Sequence, residues 1–312
     1  MTSACLLYNP SAGRGSARQD VLKIASGLDS LGWSVSLRES RSGDDTTGIA
    51  RQAAEEKADV LIVAGGDGSI ERSLAGLIGS ETALGVLPIG TSNVFAREIG
   101  LTVPRIAGKS IVDASLSYLR GAVVRPVDLG MCNGNPFLLW AGVGFDGYVI
   151  QNIEPRRRWE KKLGAPYYAA RAASQARSWK SQALQIRING DNIEDLFHLA
   201  VLSNIRLYAG GAATLSPDSC IDDGQMELWL FSGKNLFDLV RHAGDLMLGR
   251  HLKSDRVRCI PVQQLVLEAE EPLYIQLDGD PYETVRRVEL QVIHRGINIL
   301  VPPGKQAGLF RG

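Results

Sequence analysis

The feature that most constrains this fold is an apolar run that leads directly into a glycine-rich loop. Asp59–Ala64 reads Asp-Val-Leu-Ile-Val-Ala, and Gly65–Ser69 follows it as Gly-Gly-Asp-Gly-Ser. A strand without polar alternation is buried on both faces, as in a parallel sheet covered by helices. Because parallel neighbours need a crossover connection, the run predicts a strand of an α/β domain.

Strand-like and helical patterns alternate through the first third of the chain. The predicted strands are Ala4–Tyr8, Trp33–Leu37, Asp59–Ala64 and Ala83–Leu87. The predicted helices are Ser16–Leu31, Asp45–Lys57 and a segment that begins near Ile70. This β-α-β-α-β order predicts a Rossmann-like, doubly wound parallel sheet with right-handed crossovers. Ligands of such sheets bind at the carboxyl ends of the strands.

The pattern changes after Val124, where strand-like segments dominate. These segments are Pro126–Cys132, Phe137–Ala141, Leu184–Ile188, Leu196–Leu202, Met226–Phe231, Leu265–Ala269, Leu273–Leu277, Val288–Ile293 and Ile297–Val301. One helix is predicted among them, at Asn235–Leu248. Runs of strands with few helices predict a mainly antiparallel second domain, a sandwich or an open barrel. A chain of 312 residues is long enough for two such domains.

Three loops rich in small residues follow predicted strands of the first domain. They are Asn9–Gly15, Gly65–Ser69 and Pro88–Asn93. Small residues let the backbone approach a ligand closely, and N–H groups at the start of a helix favour phosphate. Because all three loops lie at one edge of a parallel sheet, they predict a single phosphate-binding site. They match neither the dinucleotide fingerprint nor the P-loop.

Acidic residues accompany these loops and two turns of the second domain. Asp67 lies inside the second loop, where a bare carboxylate would repel phosphate. It is therefore a candidate to hold Mg²⁺, directly or through water. The alternative is that Asp67 caps the following helix. Ile221–Gly224 and Leu277–Asp280 read as tight turns, since hairpins favour Asp-Gly.

Composition excludes several classes of protein. Lys+Arg and Asp+Glu are both 34, so the net charge gives no general attraction to nucleic acid or to membranes. The cysteines, Cys5, Cys132, Cys220 and Cys259, have neither disulfide-framework nor zinc-site spacing, which indicates reduced thiols in a cytoplasmic protein. The sequence predicts no secretory signal and no membrane-spanning run.

A local basic cluster covers residues 155–180. It contains eight Lys/Arg and one acid, with two Trp and two Tyr among them. Basic residues mixed with interfacial aromatics suit docking on an anionic membrane surface. The alternative is a solvated helix with buried aromatics. Nucleic-acid binding is not expected, because no recognisable module accompanies the cluster.

Taken in order, these segments resemble the soluble diacylglycerol kinase family, which shares its catalytic domain with sphingosine and ceramide kinases. The matching segments are Asn9–Gly13, Ala64–Ser69, Leu87–Asn93, Val127–Gly130, Gly144–Gly147, Leu215–Gly224 and Leu277–Asp280. The glycine-rich motif alone also occurs in NAD kinases and phosphofructokinases, whereas the ordered set is specific to the family.

The resemblance implies a domain layout. Residues 1–125 would form an α/β nucleotide domain of the NAD-kinase and diacylglycerol-kinase type, with a parallel, Rossmann-like sheet. Residues 126–301 would form a β-sandwich lipid-substrate domain, with the active site in the cleft between the two. The C-terminal tail, residues 302–312, is expected to return to the first domain.

The resemblance also implies ligands and site residues. ATP contacts are expected from Asn9, Pro10, Ser11, Ala12, Gly13, Ser40, Gly66, Asp67, Gly68, Ser69, Ile70, Glu71, Arg72 and Thr91. Asp280 matches the general base of the family, and Asp67 and Asp128 match its catalytic Mg²⁺–water network. A structural Mg²⁺ is expected at the Asp218 carboxylate and the backbone oxygens of Leu215 and Cys220.

The sequence departs from the family pattern at four positions. The expected base is Asp280 rather than Glu, and Val94 stands where an acid often follows Asn93. Ser69 replaces Thr, and Arg72 replaces a common acid. The changes at 94 and 280 bear on the lipid substrate more than on phosphoryl transfer.

The sequence therefore predicts an ATP-dependent lipid kinase that acts on a diacylglycerol-like or a ceramide/sphingoid-like hydroxyl. The alternatives are an NAD kinase-like enzyme and a catalytically silent nucleotide- or lipid-binding regulator. We expect a cytoplasmic protein that associates peripherally with the membrane, and a homodimer is a candidate assembly. Docking on the membrane is expected through Arg156, Arg157, Arg158, Trp159, Lys161 and Lys162.

Overall fold

The computed structural model describes residues 1–10, 17–101, 110–153, 169–188, 190–304 and 308–311. Backbone contacts divide the chain into two compact units. The first comprises residues 1–127 and 295–307, and the second comprises residues 128–294 and 308–312. Two long strands, β5 (Val123–Cys132) and β17 (Val285–Val301), each run from one unit into the other.

The first unit contains a parallel sheet. Its strands are β1 (Ser3–Tyr8), β2 (Ser34–Glu39), β3 (Val60–Gly65) and β4 (Ala83–Pro88). They lie in the order β2-β1-β3-β4, and every neighbouring pair is parallel. The C-terminal part of β17 extends the sheet, because Ile299 pairs in parallel with Leu84. Every residue of β3 and β4 is buried, which confirms the parallel α/β domain that the apolar runs predict.

Five helices of the first unit lie within the described residues. They are α1 (Ala17–Ser30), α2 (Gly43–Glu55), α3 (Asp67–Leu77), α4 (Val94–Glu98) and α5 (Ile111–Gly121). α2 packs on α3, and α1 packs on α5. α2 begins two residues earlier than predicted because the Ser42 hydroxyl accepts the Asp45 N–H at 3.1 Å and caps the helix. α3 begins at Asp67 rather than near Ile70, since Gly66 is the last extended residue.

The second unit is built mainly from antiparallel strands. They include β6 (Asn135–Phe137), β7 (Trp140–Gly144), β8 (Gln182–Ile188), β9 (Asp191–Ser203), β12 (Met226–Ser232), β13 (Val257–Val262), β14 (Gln264–Leu273), β15 (Ile275–Leu277) and β16 (Asp280–Pro281). β9 pairs with β8 along its first half and with β7 and β12 along its second half. Side chains from these strands form one apolar core around Phe137, Phe197 and Leu228. This unit is the predicted antiparallel, sandwich-like domain.

Short elements complete the second unit. β10 (Leu207–Tyr208) and β11 (Ala213–Thr214) form a two-stranded ribbon. Two helices have full bounds in the structure, α6 (Phe145–Ile153) and α7 (Leu236–Met247). α7 lies within the predicted helix Asn235–Leu248, whereas α6 and β13 were not predicted. Among the described residues, no helix has the length and hydropathy that a membrane crossing requires.

Three strand predictions were wrong in detail. Leu273–Leu277 was predicted as one strand, but β14 ends at Leu273 and β15 begins at Ile275. Phe137–Ala141 was predicted as one strand, but β6 ends at Phe137 and β7 begins at Trp140. Val288–Ile293 and Ile297–Val301 were predicted as separate strands, but both lie in the continuous strand β17. Of the predicted tail, residues 302–307 belong to the first unit and residues 308–312 to the second, where the Ile221 N–H donates to Leu309 O at 3.0 Å.

Candidate active site

The carboxyl ends of four parallel strands bring the predicted nucleotide residues of the first unit to one edge of its sheet. Tyr8 pairs with Glu39 and Ala64, and Gly65 pairs with Pro88. The segments after these strands therefore start side by side. In a sheet of order 2-1-3-4 the strand connections diverge between β1 and β3, which is where ligands of open α/β sheets bind.

The second and third loops touch through their backbones. A Cβ atom on Gly90 would lie 2.5 Å from Gly66 Cα and 3.0 Å from Gly66 N. No real Cβ tolerates such a distance, so Gly90 must be glycine for the loops to meet. The Gly90 N–H donates to Gly65 O at 3.2 Å, and the Ile89 N–H donates to the same oxygen at 3.2 Å. The two loops are therefore a single structural assembly.

Asp67 fixes this assembly through its carboxylate. Its two oxygens accept the backbone N–H groups of Val94, at 3.0 Å, and of Phe95, at 3.1 Å. Asp67 therefore caps α4, which follows the third loop, whereas the capping alternative in the sequence was α3, the helix that Asp67 begins. Burial raises the pKa of the Asp67 carboxyl, and the two hydrogen bonds oppose that rise.

Ser40 lies at the end of β2 and is fully buried. Its backbone N–H donates to Tyr8 O at 2.9 Å. Its hydroxyl has no hydrogen-bond partner among the residues that the structure describes. A buried hydroxyl left without a partner is destabilising, and a ligand atom could fill that role.

The remaining predicted nucleotide residues lie on α3 and in the third loop. Gly68 and Ser69 lie in the first turn of α3, and the Ile70 side chain is buried beneath it. Arg72 pairs with Glu71 at 3.1 Å, and its carbonyl accepts the Thr47 hydroxyl at 2.7 Å. Among the other predicted nucleotide residues, Asn9 and Pro10 follow β1, Thr91 is exposed, and Ser11, Ala12 and Gly13 lie outside the described residues.

Leu277–Asp280 forms the predicted hairpin turn, between β15 and β16. Asp278 and Gly279 have φ angles of 51° and 91°, as a type I′ turn requires. The Asp278 carboxylate is buried and accepts three backbone N–H groups, from Leu138 and Leu139 at 2.8 Å and from Trp140 at 3.1 Å. The half-buried Asp280, on the opposite flank of Gly279, is the predicted base. Two aspartates two residues apart therefore have different environments.

A buried polar network supports this turn. The Gly279 N–H donates to Gln276 Oε1 at 2.7 Å, and Gln276 Nε2 donates to Asp146 Oδ2 at 2.7 Å. The Tyr208 hydroxyl donates to the same Asp146 oxygen at 2.7 Å. Gln276 and Asp146 are nearly inaccessible to solvent. The network fixes the backbone next to Asp280, because fully satisfied buried hydrogen bonds are rigid.

Asp128, predicted for the Mg²⁺–water network, lies in the second unit and is fully buried. Its carboxylate accepts the Gly224 N–H at 2.6 Å and is 2.9 Å from His294 Nδ1. Its backbone N–H donates to Ile221 O at 2.7 Å. These contacts join β5 to the 221–224 segment, which is a series of bends rather than the predicted tight turn.

The three residues predicted for a structural cation lie close together in sequence and offer oxygen donors. Asp218 is exposed, Leu215 O is 2.9 Å from His251 Nε2, and Cys220 is buried. Burial raises the pKa of the Cys220 thiol, so its sulfur stays protonated and donates to Gly308 O at 3.5 Å. Cys220 therefore offers its carbonyl oxygen rather than a thiolate. One carboxylate and two carbonyls fit the ligand preference of Mg²⁺.

Some residues of the site were missed at the sequence level. Asp146 lies in the recognised Gly144–Gly147 segment, so its position carried a signal. Gln276 and Tyr208 carried none, because neither residue type nor spacing marks them. For Asp278 the sequence predicted only a position in a tight turn. Its hydrogen bonds were missed because its three backbone partners lie about 140 residues away in sequence.

Family comparison agrees with this two-part arrangement. Residues 3–132 match the diacylglycerol kinase catalytic domain. Residues 140–301 match the YegS C-terminal NAD kinase beta sandwich-like domain.

Individual relatives align along the whole chain. A diacylglycerol kinase of Bacillus subtilis is 28% identical over 309 residues, which cover 98% of each chain. A protein of Shewanella frigidimarina named "Probable lipid kinase YegS-like" is 25% identical and covers 97% of this chain and 95% of its own. A crystal structure of a diacylglycerol kinase from Bacillus anthracis superposes with a TM-score of 0.72 at 21% identity, over 96% of this chain and 97% of that one.

The family match and the named relatives place this two-domain chain among kinases, which transfer a phosphoryl group. The chain belongs to the lipid kinase family of the diacylglycerol kinase and YegS-like type.

Proposed function

We propose that the protein transfers the γ-phosphoryl group of ATP to a hydroxyl group of a membrane lipid. Diacylglycerol is the first candidate acceptor, because the relative named diacylglycerol kinase aligns over 98% of the chain. A ceramide or sphingoid base offers the same chemistry, a hydroxyl near the polar end of a lipid.

The observation that carries this proposal is the assembly of Gly66, Gly90 and Asp67. Two loops meet without side chains between them, at the edge of the sheet where ligands bind. Backbone N–H groups at the start of α3 favour an anion such as a phosphate group. Ser40, with its buried hydroxyl, follows directly after β2 of the same sheet and is proposed as a further nucleotide contact.

Mg²⁺ would accompany ATP and neutralise charge on the phosphates. We assign Asp67 and Asp128 to its water network, and we assign Leu215, Asp218 and Cys220 to a separate structural ion. Asp67 keeps acceptor capacity beyond its two hydrogen bonds, since a carboxylate offers about four lone-pair sites. Asp128, whose side chain is fully buried, would belong to this network indirectly, by holding the Gly224 backbone and the His294 ring in place.

Asp280 would act as the general base. The lipid hydroxyl oxygen forms a bond to the γ-phosphorus while the bond to the bridging oxygen of ADP breaks. The hydroxyl proton passes to the Asp280 carboxylate, and ADP leaves with the bonding electrons. General-base help of this kind contributes about 10²–10⁴-fold to turnover. The Gln276–Asp146 network holds the turn in place during this step.

The lipid substrate requires contact with a bilayer, so we propose peripheral membrane association from the cytoplasm. The basic and aromatic residues Arg156, Arg157, Arg158, Trp159, Lys161 and Lys162 are proposed to contribute, although they lie outside the described residues. A homodimer is also proposed, and sedimentation velocity tests it.

One assay tests the proposed reaction. ATP labelled at its γ-phosphate is incubated with vesicles that contain diacylglycerol, ceramide or a sphingoid base, and with NAD in solution. We expect label in one lipid product. Label in NAD would assign a soluble-substrate kinase, and bound ATP without transfer to any acceptor would assign a regulator.

Two variants test the base. Asp280→Asn removes the proton acceptor, so turnover falls by about 10²–10⁴-fold while nucleotide binding persists. Asp280→Glu restores a carboxylate and keeps most of the turnover. Near-normal turnover of the asparagine variant would remove Asp280 from this role.

A further inference from the structure

The exposed large hydrophobic side chains cluster in one part of the second unit. Within the described chain there are thirteen such side chains, and six of them fall between residues 236 and 252. They are Leu236, Phe237, Val240, Met247, Leu248 and Leu252. Phe237 is 75% exposed, Val240 58% and Leu248 62%. Contiguous exposed apolar surface of this kind marks an interaction site.

Four of these residues lie on one face of α7, Leu248 follows directly after the helix, and Leu252 lies in the turn beyond it. At 100° per residue, the positions from Leu236 to Leu248 that are exposed and apolar, including the small residues Ala243 and Gly244, fall within an arc of about 140°. The opposite face carries Asp238, Leu239 and His242, which are buried. The helix is thus amphipathic, with its apolar side exposed rather than buried in the core.

The inner face of α7 holds the helix firmly on the unit. The His242 ring packs against Phe231 with ring centroids 5.4 Å apart, and its Nε2 is 2.8 Å from Ser232 O. Asp238 forms an ion pair with Arg256 and accepts the Lys234 N–H at 3.0 Å. The outer face is therefore presented by a fixed helix, not by a frayed one.

Cations surround the exposed face. Residues 234–256 contain five Lys/Arg and three Asp, in a chain whose net charge is zero. Two of the three acids are paired, Asp238 with Arg256 and Asp245 with Arg241. Lys234, Arg250 and Lys253 are exposed and have no ion pair with any residue that the structure describes. An apolar face with a cationic margin matches the hydrocarbon and phosphate layers of an anionic bilayer.

We propose that α7 and the turn after it, residues 236–252, dock on the surface of an anionic lipid bilayer. This docking face rests on the proposed function, which requires access to a membrane lipid. A second copy of the chain is a poorer occupant, because a symmetric pair would bring two cationic margins together. The bilayer instead supplies anionic headgroups beside an apolar interior.

Vesicle sedimentation tests the docking face without any phosphoryl transfer. The vesicles are phosphatidylcholine with or without phosphatidylglycerol, and they contain no acceptor lipid. The test variant is the double substitution Phe237→Gln and Val240→Gln. The matched control is Leu22→Gln on α1, where another helical leucine is 44% exposed. All three side chains are exposed, so the folds should survive, which thermal unfolding checks.

We expect the double variant to lose about tenfold to a hundredfold in affinity for anionic vesicles, because two apolar side chains no longer enter the bilayer. The control should bind like the wild type, and binding should weaken without phosphatidylglycerol. Unchanged binding of the double variant would overturn the proposal. So would a dimer, measured by light scattering, that the double variant converts to monomer while its vesicle binding is unaltered.

A kinase assay separates docking from catalysis. A short-chain diacylglycerol that dissolves in water needs no docking, so the double variant should phosphorylate it like the wild type while it fails on vesicles. Equal losses on both substrates would contradict a docking role. If the wild type phosphorylates neither substrate yet binds vesicles through α7, the proposed function fails and the docking face stands.

Discussion

Asp278 and Asp280 make the sharpest prediction, because two aspartates of one turn should fail in different ways. The Asp278 carboxylate accepts three backbone N–H groups and is buried. Asp278→Ala removes every acceptor and leaves those donors without partners. Each buried unsatisfied donor costs about 1–3 kcal/mol, so three of them would cost about 3–9 kcal/mol. Because partial relaxation and water entry reduce this cost, we expect a loss of about 4 kcal/mol in the free energy of unfolding.

The backbone of Asp278 adds to this loss. Its φ of 51° is tolerated by Asp and Asn but is strained in Ala. Asp278→Asn keeps the turn and one acceptor oxygen, but it turns an amide donor toward one of the three N–H groups. We therefore expect a loss of about 1–2 kcal/mol for this variant, with the order Ala worse than Asn.

Thermal unfolding of the second unit measures these losses. A loss of about 4 kcal/mol lowers the midpoint by about 10 °C in a unit of this size. Asp280→Asn is the control, and its midpoint should stay within about 2 °C of the wild type while its turnover collapses. A stable Asp278→Ala protein, or an Asp280→Asn protein that unfolds early, would refute the assignment of roles.

Two further predictions concern buried polar groups. Burial raises the pKa of the Glu227 carboxyl to about 7, so the folded state holds a proton that the unfolded chain releases near pH 4.5. Stability from this group is full below about pH 4.5 and is lost as pH rises to about 7, by up to about 3 kcal/mol. Glu227→Gln should remove this pH dependence. In urea unfolding from pH 5 to 8, the free energy of unfolding of the variant should therefore rise relative to that of the wild type, and parallel pH curves would contradict this. Ser40→Ala should leave thermal stability unchanged or slightly higher but weaken ATP binding by up to about tenfold, and calorimetry that shows equal affinity would exclude the contact.

The sequence was sufficient for the fold class because burial leaves a clear pattern. Val60–Gly65 is buried at every position, and a fully apolar strand has few other solutions than a covered parallel sheet. The strand break predicted between Val288–Ile293 and Ile297–Val301 does correspond to a local feature. Arg295 has a positive φ of 53° inside the continuous strand β17. The sequence pattern therefore indicated the backbone irregularity at this point but not that the strand continues through it.

The roles of the site residues were harder to predict from the sequence, because those roles depend on hydrogen-bond partners that are distant along the chain. Asp67 looked like a cap for its own helix or a cation ligand, yet its hydrogen bonds reach Val94 and Phe95, about 27 residues away. This contact also bears on the valine at position 94. Its backbone N–H donates to Asp67, so the hydrogen bond does not depend on the side chain at that position. Gln276 could not be identified, since only the folded turn brings Asp146 and Gly279 to its two amide atoms.

The central claim is that the joined loops of the first unit bind the phosphates of ATP. Titration calorimetry with Mg²⁺ and a non-hydrolysable ATP analogue tests it on the wild type, Gly90→Ala and Gly48→Ala. A Cβ on Gly90 would meet Gly66 Cα at 2.5 Å and separate the loops, whereas one on Gly48 meets nothing within 4 Å. We predict that the wild type and Gly48→Ala bind alike and that Gly90→Ala loses most of its affinity. A wild type that gives no binding heat, or a Gly90→Ala protein that binds as well as the wild type, would contradict the claim.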